Sequence, residues 1–205
     1  MAMMLRPMSV ILDQQNFVAD TMNWKTIGDV LAHTQRQHRL VVKILLDGQT
    51  PDLTQMPALR QMPLLGRELF IETAAPRDVA DEALADALAQ LDLADSHQQQ
   101  AAELLRQDQW AQALQALSPC LAAWHRVQQA MTGAAKLLQI DLAQLQSGGE
   151  SAATLLSAFA RQLNDVKTAV AARDSVMLID LLCYETTDST ARWRSVIGLM
   201  RKRAT

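Results

Sequence analysis

Histidines, cysteines and one pair of acids are the side chains in this sequence whose chemistry and spacing could support reactivity. The four histidines are His33, His38, His97 and His125, and none lies three or four residues from another histidine or a cysteine. That spacing would bring two metal ligands onto one face of a helix, so we expect no metal site. The sequence also has no Gly-x-Ser-x-Gly elbow and no glycine-rich loop that follows a strand. We therefore predict no catalytic residue and no cofactor.

Asp180 and Glu185 are the acids embedded in an apolar helical run, on either side of Leu181–Tyr184. A spacing of five residues separates them by more than one helical turn. Carboxylates are seldom fully buried unless they are paired, so an exposed or interhelical structural role is the favoured interpretation. A functional role for the two acids is the alternative that the sequence leaves open.

Cys120 and Cys183 are far apart in the sequence, without a Cys-x-x-Cys motif. We interpret both as small buried apolar side chains in a reducing compartment, with a disulfide between them as the alternative.

Charge and composition bound the function classes. A formal net charge of −3 argues against a nucleic-acid binder, because phosphate binding needs a basic surface. Met1–Leu12 has too short an apolar run for a signal peptide, and no later run reaches the ~20 apolar residues of a membrane span. We therefore expect a soluble, cytoplasmic protein.

Charge is unevenly distributed along the chain. Residues 77–103 are acidic and the C-terminal stretch is basic, which is typical of exposed helix faces. The alternative is a basic tail that docks on an acidic partner or a membrane.

The elements that must position these residues change type near Ala74–Arg77. Before that point, β-branched and aliphatic runs alternate with turn signals. Thr26 and Asp29 have the spacing of a capping box, which predicts that a helix begins there. The other expected elements are a hairpin from Ser9–Leu12 and Phe17–Ala19, a central strand over Leu40–Leu46 that ends at an Asp-Gly turn, an irregular proline-rich crossing over Thr50–Pro63, and a last strand over Glu68–Thr73.

This order of elements resembles a ubiquitin-like β-grasp over residues 8–73. The resemblance is carried by the helix start Thr26–Leu31, the strand end Leu45–Gln49 and the closing strand Gly66–Thr73. Conjugated members and sulfur carriers of that superfold end in a free Gly-Gly, whereas this segment closes with Thr73–Pro76 and Gly148-Gly149 lies between predicted helices. The resemblance thus implies a fold and an interaction surface, and the departure argues against conjugation and sulfur transfer.

After Pro76, apolar residues recur at helical spacing almost to the C-terminus. Asp95-Ser96 is expected to cap a second helix, and Ser118-Pro119 marks either the meeting of two helices or a bend in one. Short loops predict antiparallel neighbours. We predict an α+β fold, with a small ubiquitin-like β-grasp domain over 1–76 and an antiparallel bundle of four or five helices over 77–205.

Leu163 and Leu182 lie at the centres of the two clearest apolar stripes and should be buried. Val176, Met177 and Tyr184 are also assigned to the inner face of the last helical run.

Three residues are candidates for partner binding. Lys43 is the charged residue of the Leu40–Leu46 run and should point outward, where a partner could reach it. Trp110 and Trp193 could line a groove for a partner helix, although large apolar residues of a bundle are more often core.

The leading functional hypothesis is a non-catalytic, bacterial-type interaction or adaptor protein with a protein partner and an unknown pathway; the sequence leaves homo-oligomers open. One alternative is a helical chaperone of a secretion or flagellar export apparatus, which the acidic Ala/Leu/Gln-rich bundle resembles in composition. The other is an enzyme with an unrecognised site between the two halves.

Overall fold

The computed structural model of the chain describes residues 9–19 and 21–204. The chain folds into two compact units, Met1–Pro76 and Arg77–Thr205, here called the sheet unit and the helical unit. The fold is α+β as predicted, with a small N-terminal sheet followed by helices. Residues 1–8, where the sequence argues against a signal peptide, lie outside the described residues, as does Met8 at the start of the β-grasp prediction.

The sheet unit contains a mixed four-stranded sheet in the order β2-β1-β4-β3. Strand β1 is antiparallel to β2 and parallel to β4, and β3 is antiparallel to β4. This arrangement is compatible with a β-grasp-like segment. The elements are β1 Ser9–Leu12, β2 Gln15–Val18, helix α1 Ile27–Arg36, β3 Leu40–Leu46, a 3-10 turn Leu53–Gln55, helix α2 Met56–Gln61 and β4 Glu68–Ala74.

Local sequence explains how these elements begin. Thr26 caps α1: its hydroxyl accepts a hydrogen bond from the Asp29 amide at 3.3 Å, and the Asp29 carboxylate accepts one from the Thr26 amide at 2.8 Å. The predicted capping box is therefore confirmed. Asp13 and Gln14 form the tight turn between β1 and β2, with φ values of 49° and 66°.

Two predictions for this unit are wrong. Strand β3 is an edge strand, because β4 pairs with one side of it and no described strand pairs with the other. The proline-rich crossing is partly regular, since Pro57 stands in the first turn of α2, where its missing N–H costs no helical hydrogen bond.

The helical unit is built from four long helical stretches and a short hairpin. The bounds are α3 Pro76–Arg106, α4 Trp110–Leu137, the two-residue strands β5 Gln146–Ser147 and β6 Glu150–Ser151, α5 Ala152–Ala172, and a last stretch made of α6 Ser175–Asp180, a π turn Leu181–Glu185 and α7 Thr186–Ala204.

The prediction that a second helix begins at Asp95-Ser96 is wrong, because α3 continues through these residues to Arg106. The Asp95 side chain accepts hydrogen bonds from Arg194 at 2.7 Å and Thr190 at 3.2 Å, so a tertiary partner uses the carboxylate that a cap would need. Pro119 lies inside α4, which settles the open alternative in favour of one helix.

Side-chain contacts show that neighbouring helices are antiparallel. Between α3 and α7, Arg201 makes a two-bond contact with Asp81, at 2.7 and 3.1 Å, while Arg194 bonds Asp92 further along α3. Between α3 and α4, the Cys120 thiol donates to the Ala94 carbonyl, and Arg126, later in α4, donates to Gln90, earlier in α3. Buried apolar side chains from α3, α4, α5 and the last stretch form one continuous core.

The last stretch exposes three apolar side chains that were expected to face inward. Leu182 is fully buried, whereas Val176 and Tyr184 are each 70% exposed and Met177 is 38% exposed. The prediction that these three residues lie inside is wrong. Val176 and Met177 lie on the side of α6 away from buried Leu178, and Tyr184 lies in the π turn, where an added residue shifts the helix face. Leu163 is only partly buried against the core, contrary to prediction.

Candidate partner-binding surfaces

An apolar groove lies along the edge strand of the sheet unit and is here called the β3 groove. It encloses a cavity of about 350 Å³. Val42 and Leu53 on its walls are each 53% exposed, although both are aliphatic. The lining residues come from α1, β3 and the segment that includes the 3-10 turn: Leu31, Val41, Val42, Lys43, Ile44, Thr50, Leu53 and Met56.

The backbone of β3 gives this groove an unpaired edge. The Asp47 amide donates to the Glu68 carbonyl of β4 at 2.8 Å. Because the backbone groups of successive strand residues point in alternate directions, every second residue counted back from Asp47 directs its N–H and C=O toward β4. Leu46, one residue earlier, exchanges hydrogen bonds with Gln49 on the opposite side. Ile44 lies two residues before Leu46, so its N–H and C=O point in the same direction as those of Leu46, away from β4 and toward the open edge.

Val42 sits at an irregularity of this strand. The pairing register shifts between Val41 and Lys43, so Val42 has no cross-strand partner in β4. Such a bulge bends an edge strand and exposes the bulged side chain.

Lys43 projects from the outer face of the sheet, as the sequence predicts. Its ammonium lies 3.9 Å from the Glu72 carboxylate and 5.5 Å from the centre of the Phe70 ring. Its side chain is still half exposed, so the ion pair with Glu72 is loose and the charge is accessible. Among the described residues that line the β3 groove, Lys43 alone carries a charge.

The two tryptophan candidates differ from each other. Trp193 has no exposed surface and packs against Phe159 with ring centroids 4.3 Å apart, so it belongs to the core. Trp110 is the first residue of α4 and is partly buried against the same core. Both belong to the helical unit, whereas Lys43 belongs to the sheet unit.

A second exposed apolar surface was not predicted from the sequence. Val176, Met177 and Tyr184 form what is here called the α6 surface, on either side of buried Leu178 and Leu182. Val176 and Met177 lie on the outer side of α6, whereas Tyr184 lies in the π turn, for which the apolar periodicity gives no signal.

Gln98 of α3 stabilises the π turn by hydrogen bonds. Its side chain is almost fully buried, and its amide nitrogen donates to the Leu182 carbonyl and, at 2.7 Å, to the Thr187 hydroxyl. The Thr186 hydroxyl donates to the Leu181 carbonyl at 3.0 Å. The Leu181 and Leu182 carbonyls of the π turn thus each accept a side-chain hydrogen bond.

The remaining titratable candidates are not assembled into a reactive site in the part of the chain that is described. Asp180 and Glu185 are both exposed. Cys120 and Cys183 are both free thiols. Within residues 9–19 and 21–204, no three His, Cys, Asp or Glu side chains come together as metal ligands would. No helix in those ranges is long and apolar enough to cross a membrane.

Comparison with known protein families bears on the helical unit. A family model described as a domain of unknown function, DUF8042, matches residues 82–196, which is more than half of the chain. The match lies within the helical unit and does not include the β3 groove. No curated protein and no solved structure matches the chain.

Proposed function

We propose that this chain, which belongs to the DUF8042 family, is a non-catalytic cytoplasmic interaction or adaptor protein that binds a protein partner through its sheet unit. The observation that carries the proposal is the β3 groove. It combines exposed aliphatic side chains, an unpaired strand edge and an accessible lysine, which are features of surfaces that recruit other proteins.

The strand order of the sheet unit supports a ubiquitin-like β-grasp as its fold. The first hairpin, helix α1, β3 and β4 follow one another in the order that the sequence resemblance implies, and β1 pairs with β4 in parallel. Folds of this kind serve many functions, so the groove rather than the fold supports a binding role.

A helical export chaperone is the second candidate, and the α6 surface favours it. Val176 and Tyr184 are the most exposed large apolar side chains among the described residues of the helical unit. An exposed apolar helix face could hold the apolar face of a helix from a client protein.

The test is affinity capture by the full chain from a native lysate, quantified by mass spectrometry, with paired variants. We expect Lys43→Glu to reduce capture of a partner, because it reverses the charge that Lys43 brings to the groove. Lys167→Glu makes the same charge change on exposed Lys167 of α5 and should capture as well as the parent protein. The thermal midpoint of Lys167→Glu should stay close to that of the parent. Lys43→Glu removes a loose surface ion pair and sets two acids opposite each other across the β3–β4 ladder at exposed positions, so its midpoint should fall slightly, and capture is compared at a temperature where both variants are folded.

Three outcomes would redirect the assignment. Unchanged capture by a folded Lys43→Glu variant would remove the β3 groove from consideration. Loss of capture with Tyr184→Ser alone, and enrichment of a single export substrate, would favour the chaperone. Reproducible turnover of a small molecule, abolished by a point substitution, would show that the chain is an enzyme.

A further inference from the structure

We propose that the β3 groove binds an extended segment of a partner protein, which pairs with β3 as an added strand. The bound segment places an apolar side chain in the groove beside Ile44 and an acidic side chain next to Lys43. This inference rests on the proposed binding function and specifies the chemistry of the partner.

The open edge of β3 offers free backbone hydrogen-bonding groups at Ile44. Ile44 directs its N–H and C=O away from β4, and Leu46 closes the edge on one side by bonding to Gln49. An incoming strand can exchange two hydrogen bonds with Ile44, as a hydrogen-bonded pair of an antiparallel ladder does. A helix has no free backbone N–H and C=O groups in its interior, so an extended segment is the partner conformation that this edge can recognise.

Successive side chains of a strand point to opposite faces of the sheet, which determines where the side chains of an added strand would lie. Ile44 is buried and faces α1, so the residue of the added strand directly opposite Ile44 also turns toward that face. There it meets Leu53 and Met56 across a cavity of about 350 Å³. A large aliphatic or aromatic side chain would cover the exposed carbon of Leu53 and Val42 and gain the free energy of apolar burial.

The charge of Lys43 determines the type of residue expected opposite it in the added strand. Lys43 lies on the outer face, so the residue opposite it in the added strand points to that face as well. An acidic side chain at this position would lie beside an ammonium that Glu72 holds only at 3.9 Å. The partner segment should therefore contain an acidic residue adjacent to a large apolar one.

The same charge argues against a second copy of this chain as the occupant. In a symmetric antiparallel pairing through Ile44, the Lys43 side chains of both copies would lie diagonally across the new ladder on one face. Long side chains in diagonal positions are within reach of each other, so the two ammonium groups would repel. The lysine and the bulge at Val42 thus oppose self-pairing, while an acidic partner strand removes the repulsion.

The experiment uses the full chain as bait for a library of random peptides of about ten residues, the upper length of common strands, displayed on phage. We expect the enriched peptides to share an acidic residue next to a large apolar residue. Binding of a selected synthetic peptide should fall at least about tenfold in Leu53→Asp, which places a charge on the groove wall, corresponding to ~1.4 kcal/mol. Val18→Asp is the matched control, because Val18 is similarly exposed (49%) but lies on the opposite edge strand β2.

Two further readouts separate strand addition from other modes of binding. Lys43→Glu should weaken binding of the acidic peptide, and exchange of its acid for lysine should restore it. Hydrogen exchange at the Ile44 amide should slow when peptide is bound, while exchange at the Leu46 amide, already bonded to Gln49, should change little.

Each result bears directly on the proposal. Failure to enrich any peptide, equal losses in Leu53→Asp and Val18→Asp, or unchanged exchange at Ile44 would overturn strand addition. Capture of a lysate partner that survives Leu53→Asp would keep the binding function and reject this site. A concentration-dependent dimer that Leu53→Asp abolishes would identify a second copy as the occupant instead, and saturable binding of a small apolar molecule that excludes peptides would identify a ligand pocket.

Discussion

Burial distinguishes the two cysteines, although their sequence surroundings are equally apolar. Cys120 is fully buried in α4, and its thiol donates to the Ala94 carbonyl at 3.3 Å. Burial raises the pKa of the Cys120 thiol to about 12, with a further contribution from the negative charge of Asp95. Cys183 is partly exposed on the π turn, and the Arg106 guanidinium lies 3.1 Å from its sulfur. One thiol therefore behaves as a core side chain and the other faces solvent and a cation.

Alkylation should separate these thiols. At pH 8, only about one ten-thousandth of a thiol with a pKa near 12 is ionised, and the thiolate is the reactive species. We expect iodoacetamide to modify Cys183 in the folded protein and Cys120 only after unfolding, as measured by peptide mass spectrometry. Denatured protein, in which both sites should react, is the control. Equal rates at the two sites in the folded state would contradict the buried position of Cys120.

Leu182 and Leu163 differ in how deeply they are buried. Leu182 is fully buried, whereas Leu163 is partly exposed at the edge of the same core. Leu182→Ala should lower the free energy of unfolding by ~2–5 kcal/mol, the range for buried leucine. Leu163→Ala should cost less, because part of its side chain already contacts water. Denaturant unfolding measures both, and an equal or larger loss for Leu163→Ala would show that α5 packs differently.

Close packing between helices α1 and α2 depends on a residue without a side chain. A Cβ atom added at Gly28 would lie 2.7 Å from the backbone carbonyl oxygen of Arg60. The Thr26 cap and this close approach together fix where α1 begins and how near α2 lies to it. The position of α1 matters for the proposed site, because Leu31 lines the β3 groove.

Alanine substitutions at two helical glycines should therefore act in opposite directions. Gly28→Ala should destabilise the sheet unit by ~1–3 kcal/mol, because the backbone of α2 must move. Gly133→Ala in α4 meets no atom within 4 Å and should stabilise the helical unit by ~0.5–1 kcal/mol through better helix propensity. Thermal unfolding of the two variants beside the parent protein provides the measurement. A stabilising Gly28→Ala would show that α1 and α2 are further apart than this close approach requires.

Each of the two units has a hydrophobic core of its own. One core gathers buried side chains of the sheet unit, from Val10 to Ile71, and the other runs through the helical unit from Ala80 to Met200. A unit that buries its own apolar side chains meets the main requirement for independent folding.

We therefore expect residues 1–76 to fold when produced alone. The fragment should give dispersed amide NMR signals and a circular dichroism spectrum with both helix and strand contributions. Residues 1–76 with Gly28→Ala should show the same loss of stability as the variant in the full chain. A featureless or purely helical spectrum would show that the sheet unit depends on the helical unit.

Features that neighbouring residues encode were predictable from the amino-acid sequence. The Thr26–Asp29 cap, the strand runs, the helical stripes and the α+β order all depend on patterns within a few residues, and the structure contains them. Lys43 was also predicted to face outward, because a charged side chain in an apolar strand run avoids the core.

The surfaces that these elements leave open depend instead on long-range packing. Whether β3 lies at the centre or the edge depends on where β4 inserts, and β4 follows β3 by more than twenty residues. Likewise, the exposure of Tyr184 depends on a π turn that Gln98, from a distant helix, helps to hold. The β3 groove exists because Leu31, Ile44 and Leu53 meet across three separate elements, and such proximity is set by how the elements pack rather than by any local pattern.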